Sequence, residues 1–358
     1  KFSRGWGCLG PLPGRLSPFF ALGSVLAPFP VITLTRHWPR RRLFLLAIGG
    51  LLVFNAVTAW SGHYGVILAA RLVAGMAAGV VWGLLAGYAR RLVAPHLQGR
   101  ALAIAGVGQP VALCLGVPLG AWLGTLFDWR GVFWVMSLLS LLLYVWVRLV
   151  VPDFAGQSAQ QRLPLRRIFC LPGVRPILLT LFAWLLAHNL LYTYIAPFLA
   201  SVGLGQRVDA VLLLFGVASI VGIWVTALWV DGWLRVLTLI SLAGFAVAAV
   251  LMGFAGQATG WVLVGIAAWG VTFGGAPTLL QTALADTAGE GADVAQSMLV
   301  TIFNLAVAGG GLLGGLLLGG LGVDWFPWVA AALALLAFGL VWTARQYGFR
   351  SGARMAKP

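Results

Sequence analysis

The chain has 358 residues, 61% hydrophobic and 9% charged, with a mean hydropathy of +0.98; a soluble globule cannot hide so much apolar surface, so the composition is that of an integral membrane protein. Its net charge of +15 comes from Lys and Arg scattered in short groups between apolar runs, with no basic domain or base-reading module, which excludes a nucleic-acid binder. Cys8, Cys114 and Cys170 show neither metal nor redox spacing, so neither a metal site nor a disulfide is expected.

Apolar runs of about 20 residues predict eleven transmembrane helices, near 18–35, 43–60, 64–89, 101–127, 132–151, 174–200, 210–230, 236–254, 261–285, 294–321 and 326–344. Basic residues cluster in alternate loops. Arg36, Arg40, Arg41 and Arg42 follow the first run, Arg90, Arg91 and Arg100 the third, and Arg235 the seventh. Arg162, Arg166, Arg167 and Arg175 lie around the long central loop, and Arg345, Arg350, Arg354 and Lys357 at the end. The other loops hold only Arg130 and Arg207, so the Arg-rich side, with the C-terminal tail, is expected to be cytoplasmic. That topology makes the chain enter its first run from outside, which predicts one further helix upstream, so that eleven of twelve are present. The first residues, KFSRGWGCLGPLPGRLSP, fit neither a helix nor a cleavable leader. The expected organisation is an atypical segment 1–17, a transmembrane half 18–151, a polar linker 152–173, a second half 174–345 and a tail 346–358.

The run 99–130, GRALAIAGVGQPVALCLGVPLGAWLGTLFDWR, organises the rest. Gly116, Gly120 and Gly124 are four residues apart and share a helix face, which lets a neighbouring backbone approach closely. Pro110 and Pro118 lie in the same run, where a membrane helix packed among others tolerates them. The halves repeat one another. Trp38 and Arg40 match Trp233 and Arg235 at one offset, and Asp128 and Trp129 match Asp324 and Trp325 at almost the same offset. The helix before the second pair is again striped, by Gly311, Gly315 and Gly319.

On these residues the chain resembles the major facilitator superfamily, and within it the bacterial drug, sugar and nucleoside efflux group that includes the arabinose efflux permeases. The resemblance spans about residue 21 to residue 344. It implies an all-α polytopic fold of two pseudo-symmetric six-helix halves related as a parallel repeat, with the first helix missing. Gly116, Val117, Pro118, Leu119 and Gly120 resemble the Gly-x-Pro-x-x-Gly signature of the family's fifth-helix antiporter motif, which implies a gating role for Gly116, Pro118 and Gly120 and exchange rather than uptake. The alternative is an ordinary close-packed helix pair. The loop TRHWPRRR occupies the place of the family's cytoplasmic signature, but Arg36 stands where an Asp is expected, His37 where an Arg is and Pro39 where a Gly is. Asp231 and Arg235 keep the acid and base in the second half, so one half is expected to carry the inner gate, while Arg41 and Arg42 are read as topology anchors. Arg71 opens RLVAGMAAG, similar to the family's fourth-helix signature, and the resemblance assigns it to proton coupling. Snorkelling to the outer interface is the plainer alternative.

No carboxylate lies deep in a predicted helix, so the titrating acid that the family's antiporters carry is not found in this chain. His188, in AHNLLYTYIAPFL, is the best remaining titratable group. Asn189 and Tyr192, three apart, share a face with each other, and His188 nearly shares one with Tyr192. These three are expected to contact substrate, the alternative being a histidine satisfied by a helix neighbour. Gln109, Gln281, Gln296 and Asn304 are uncharged amides placed where a central cavity needs them, and Trp82 and Trp269 are rings able to stack on a ligand. Gly274 and Gly275 before Pro277 make their helix bendable.

No phosphate loop, zinc spacing or nucleophile triad is present, so neither catalysis nor a cofactor is expected. The expectation is a monomeric efflux transporter of a bacterial inner membrane, its partners the lipid bilayer, a small polar solute (a sugar, nucleoside or drug) and protons as the coupling ion. An uptake symporter or uniporter of the same fold, and a truncated inactive membrane polypeptide, are the rivals.

Overall fold

The structure, a computed structural model, describes residues 13–35, 37–112, 116–156, 165–256 and 258–349. Cys8, Arg36 and Cys114 lie outside them, as do the side chains of Gln109 and Pro118. Among the described residues every regular element is helical: α1 (Pro13–Leu26), α2 (Pro28–Leu34), α3 (Arg40–Trp60), α4 (Tyr64–Arg91), α5 (Gln98–Gly106), α6 (Gly108–Val111), α7 (Val117–Leu126), α8 (Asp128–Val150), α9 (Leu165–Phe169), α10 (Val174–Thr193), α11 (Ile195–Ser201), α12 (Val208–Phe254), α13 (Thr259–Gly274), α14 (Ala276–Ala288), α15 (Ala292–Gly320) and α16 (Phe326–Thr343).

Eight helical stretches among the described residues are long and apolar enough to cross a bilayer. One, Gly205–Phe254, has 50 residues, or ~75 Å at the helical rise, more than twice the ~30 Å of a hydrocarbon core. It is long enough for two crossings, and its backbone leaves helical geometry at Trp233 (φ −129, ψ 27), between the two predicted runs. Elsewhere single predicted runs are broken. The run 18–35 divides into α1 and α2 ahead of Pro28, and 261–285 divides into α13 and α14 at Gly275, just before Pro277. In the run 101–127 the described residues form α5, α6 and α7; Pro110 and Pro118 remove two backbone donors there, and Gly106, Gly108 and Gly116 carry no side chain to hold the helix against a neighbour.

The chain divides into two compact units, Lys1–Leu85 with Pro118–Arg162, and Ala86–Val117 with Leu163–Pro358. In the first, α3 pairs with α8, and α4 lies against α1 and α2, where Gly75 meets the Phe20 backbone and Gly83 the Ile32 side chain. The start of α3 docks on the chain leaving α8. The Arg40 N–H donates to the Phe154 carbonyl (2.9 Å), the Arg41 N–H to Asp153 Oδ1 (3.1 Å) and the Arg41 guanidinium to the Val151 carbonyl (3.2 Å). Asp153 thus places an acid at this helix N-terminus, where a carboxylate is favoured.

In the second unit α10 packs on α15 and α16, and α12 on α13. Gly222 faces the Val271 backbone, and Gly270 and Gly274 face backbone atoms of Phe215 and Ser219, so α12 and α13 meet almost backbone to backbone. Arg235 donates to the Val341 (2.8 Å) and Trp342 (3.0 Å) carbonyls near the end of α16. Arg41 does the same at the end of α8, so in each unit an arginine following the matched tryptophan holds the C-terminal end of a helix, where cations are favoured. Within this unit Gly310 and Gly314 of α15 lie against Asn189 and Tyr194, and a Cβ at Gly315 would meet the Tyr194 hydroxyl.

Candidate functional site

The side chains of α10 at 184, 188 and 192 are four residues apart and rise along one face. Opposite them stand Phe215 from α12 and Trp269 and Phe273 from α13, two helices held close to each other by their glycine contacts. The result is an aromatic cage around His188. Its ring stacks on Phe273, with centroids 3.6 Å apart and planes 5° from parallel, and lies 5.5 Å from Tyr192, 5.8 Å from Phe215 and 5.5 Å from Trp269. Phe215 and Trp269 are themselves 4.5 Å apart, and Trp184 meets the edge of Phe273 at 6.1 Å.

The polar atoms of this cage are its chemical content. Trp184 Nε1, His188 Nδ1 and Trp269 Nε1 are all buried without a hydrogen-bond partner among the described residues. An unsatisfied buried donor costs about 1–3 kcal/mol, and three around one cluster is a concentration that apolar packing does not explain. The two tryptophans are fully enclosed, while His188 and Tyr192 are half-buried.

Of the residues expected to contact substrate, the structure brings together His188, Tyr192 and Trp269. Asn189 turns away, its Nδ2 donating to the Leu185 carbonyl of its own helix (2.8 Å) and its Cβ against Gly310, and Asn304 Nδ2 donates to the Val300 carbonyl (2.8 Å). Gln281 takes part through its backbone carbonyl, which accepts from Gln296 Nε2 (2.7 Å). Phe215, Phe273 and Trp184 are the cage residues the sequence reading missed. The spacing of four from Trp184 to His188 and from Trp269 to Phe273 was the available signal.

Arg71 is buried within the first unit. Its Nη1 donates to Asn55 Oδ1 (3.0 Å), and its guanidinium lies over the rings of Phe20 (4.6 Å) and Phe133 (4.9 Å). It is thus held among partners rather than snorkelling free. Among the described residues a Cβ at Gly116 would lie 3.9 Å from Ala112 and one at Gly124 would lie 4.0 Å from Val132, while one at Gly120 meets none within 4 Å.

A second polar constellation ties 86–117 to the rest of its unit. Asp231 accepts from the backbone N–H of Gly99 (2.8 Å) and of Arg100 (3.2 Å), capping α5. Arg90 pairs with Asp286 (3.0 Å) and Arg91 with Asp293 (2.8 Å), joining the end of α4 to α14 and α15. Gly87 leaves room for Asp293. Asp231 and Arg235 thus serve separate contacts.

The family model described as Major Facilitator Superfamily matches residues 14–295. The chain belongs to this superfamily. Its members are membrane transporters and not enzymes, and the superfamily fold is found directly: a solved structure of FucP, a Major Facilitator Superfamily transporter in the outward conformation, superposes with a TM-score of 0.78 at 13% identity, over 96% of this chain and 92% of that one. Among superfamily relatives, a chloramphenicol efflux pump of Mycobacterium tuberculosis (strain CDC 1551 / Oshkosh) is 29% identical over 86% of this chain and 77% of its own length. The purine ribonucleoside efflux pump NepI of Escherichia coli (strain K12) is 27% identical over 88% of this chain and 80% of its own.

Proposed function

We propose that the chain is an efflux transporter that exports a small polar solute or drug of sugar, nucleoside or similar class, in exchange for protons and by alternating access. The observation that carries the reading is the His188 cage: stacked rings with three buried nitrogens that lack partners among the described residues suit a planar, hydrogen-bonding solute. The chloramphenicol and purine ribonucleoside pumps among the relatives favour export.

In this reading α1 with α2, and α5 to α7, are two further crossings, and α12 supplies two, giving eleven with the C-terminus in the cytoplasm of a bacterial inner membrane. The halves are 18–151 and 174–345, joined by 152–173. The Asp231 cap and the two Arg–Asp pairs form the cytoplasmic latch, Gly116, Pro118 and Gly120 the flexible part of the gate, and Arg71 the coupling residue. The transporter works as a monomer.

Everted membrane vesicles energised to an acidic interior test the reading, with chloramphenicol and adenosine as the first probes. A transported solute should discharge the pH gradient, and H188A should raise its KM. No solute-dependent proton movement across a panel of sugars, nucleosides and drugs removes the proton-exchange claim, and unchanged kinetics in H188A remove the cage from the pathway.

A further inference from the structure

A groove of about 850 Å³ runs along α3 and α8 in the first unit. Its two ends differ in chemistry. At one end Arg41, Arg42 and Arg148 face it with Asp153 as their acid neighbour, and Asp153 already spends Oδ1 on the Arg41 backbone N–H. Three guanidinium groups against one carboxylate leave this end cationic. Arg42 is further placed by the Trp38 ring, 5.4 Å from its guanidinium, and Arg148 is exposed. Beyond the arginines the lining is apolar as far as Phe54. Gly49 and Gly50 thin the floor; a Cβ at Gly49 would lie 3.6 Å from the Tyr144 ring. Leu46 and Val53 along the wall are 58% and 51% exposed.

The dimensions fit one lipid leaflet. From Arg42 to Val53 the helix rises ~16 Å, close to the ~15 Å of half a hydrocarbon core. The cationic end therefore sits at headgroup depth while the apolar part lies alongside acyl chains. We infer that this groove is a binding site for an anionic phospholipid, its phosphate held by Arg42 and Arg148 and an acyl chain laid over Gly49 against Tyr144. A free phosphate ion would use the arginines and leave the apolar length unused; a zwitterionic lipid would use the apolar length and gain less from the arginines.

Native mass spectrometry of the full chain released from detergent micelles tests the site, with dioleoyl phosphatidylglycerol and dioleoyl phosphatidylethanolamine offered at equal concentration. The expected result is preferential retention of phosphatidylglycerol. R42Q/R148Q should lower that retention on the order of ten-fold without changing phosphatidylethanolamine. G49L, which keeps every charge and fills the floor, should lower it too, and millimolar inorganic phosphate should not displace the lipid. Equal retention of both lipids by the wild-type chain overturns the site, as does an unchanged preference in R42Q/R148Q. Displacement by phosphate together with an unaffected G49L would make it an ion site instead. Should the double variant not fold, R148Q alone, at an exposed side chain, carries the same comparison.

Discussion

His188 acquires its character from rings contributed by three helices, and substitution can separate the parts. F273A removes the face on which the imidazole stacks; an aromatic pair contributes about 0.5–1.5 kcal/mol beyond its buried area, so solute KM should rise by several-fold with the protein still folded. W269F keeps a ring in place but removes both the Nε1 and part of a fully buried indole, so some loss of thermal stability is expected from the smaller ring. If that N–H meets the solute, W269F should raise KM more for solutes that can accept its hydrogen bond than for those that cannot. Equal KM changes for both kinds of solute would instead mark the ring as packing. The sequence made His188, Tyr192 and Trp269 legible because polar or bulky aromatic groups stand out in apolar helices. Phe215 and Phe273 were hidden for the opposite reason: a phenylalanine in an apolar helix looks like every other lipid-facing or core position until the fold shows which faces converge.

At the scale of the elements, glycine position decides what can pack. Gly310 sits against Asn189 and the start of Leu190, so G310L should displace α15 from α10 and lower the thermal midpoint by several degrees, while G311L, whose Cβ meets nothing within 4 Å among the described residues, should be nearly neutral. Thermal unfolding of the two purified variants checks this directly. The strap around 86–117 gives a second comparison. Asp293 is 7% exposed and Asp286 34%, so R91A, which deprives the more buried carboxylate of a partner, should destabilise more than R90A, whose pair is worth about 0–1 kcal/mol at most. The apolar runs were readable because about 20 consecutive apolar residues have few other uses. Their breaks were not, since proline and glycine within a membrane helix are either tolerated or disruptive according to the neighbours that take up the freed backbone groups. α4, with five glycines of its own and no proline, keeps 28 residues in one helix.

For the whole molecule, the repeat is the deepest regularity the sequence carries. Trp38 and Arg40 match Trp233 and Arg235, and in the fold Arg41 holds the end of α8 as Arg235 holds the end of α16. The missing acid at position 36 limited the sequence comparison, and the structure supplies Asp153 at the start of α3 from a distant part of the chain. Substituting D153N should loosen that start, and faster hydrogen exchange at Arg41 and the following turn, with α10 to α16 unchanged, is the expected reading. The central claim concerns direction and coupling: solute leaves the cytoplasm as protons enter. It is tested most directly in everted vesicles holding an imposed acidic interior, by following vesicle pH while a solute accumulates. Solute uptake with simultaneous alkalinisation of the vesicle interior, both reduced in H188A, is the expected result. Solute movement at an unchanged rate after the pH gradient is collapsed, with no proton flux, would contradict it.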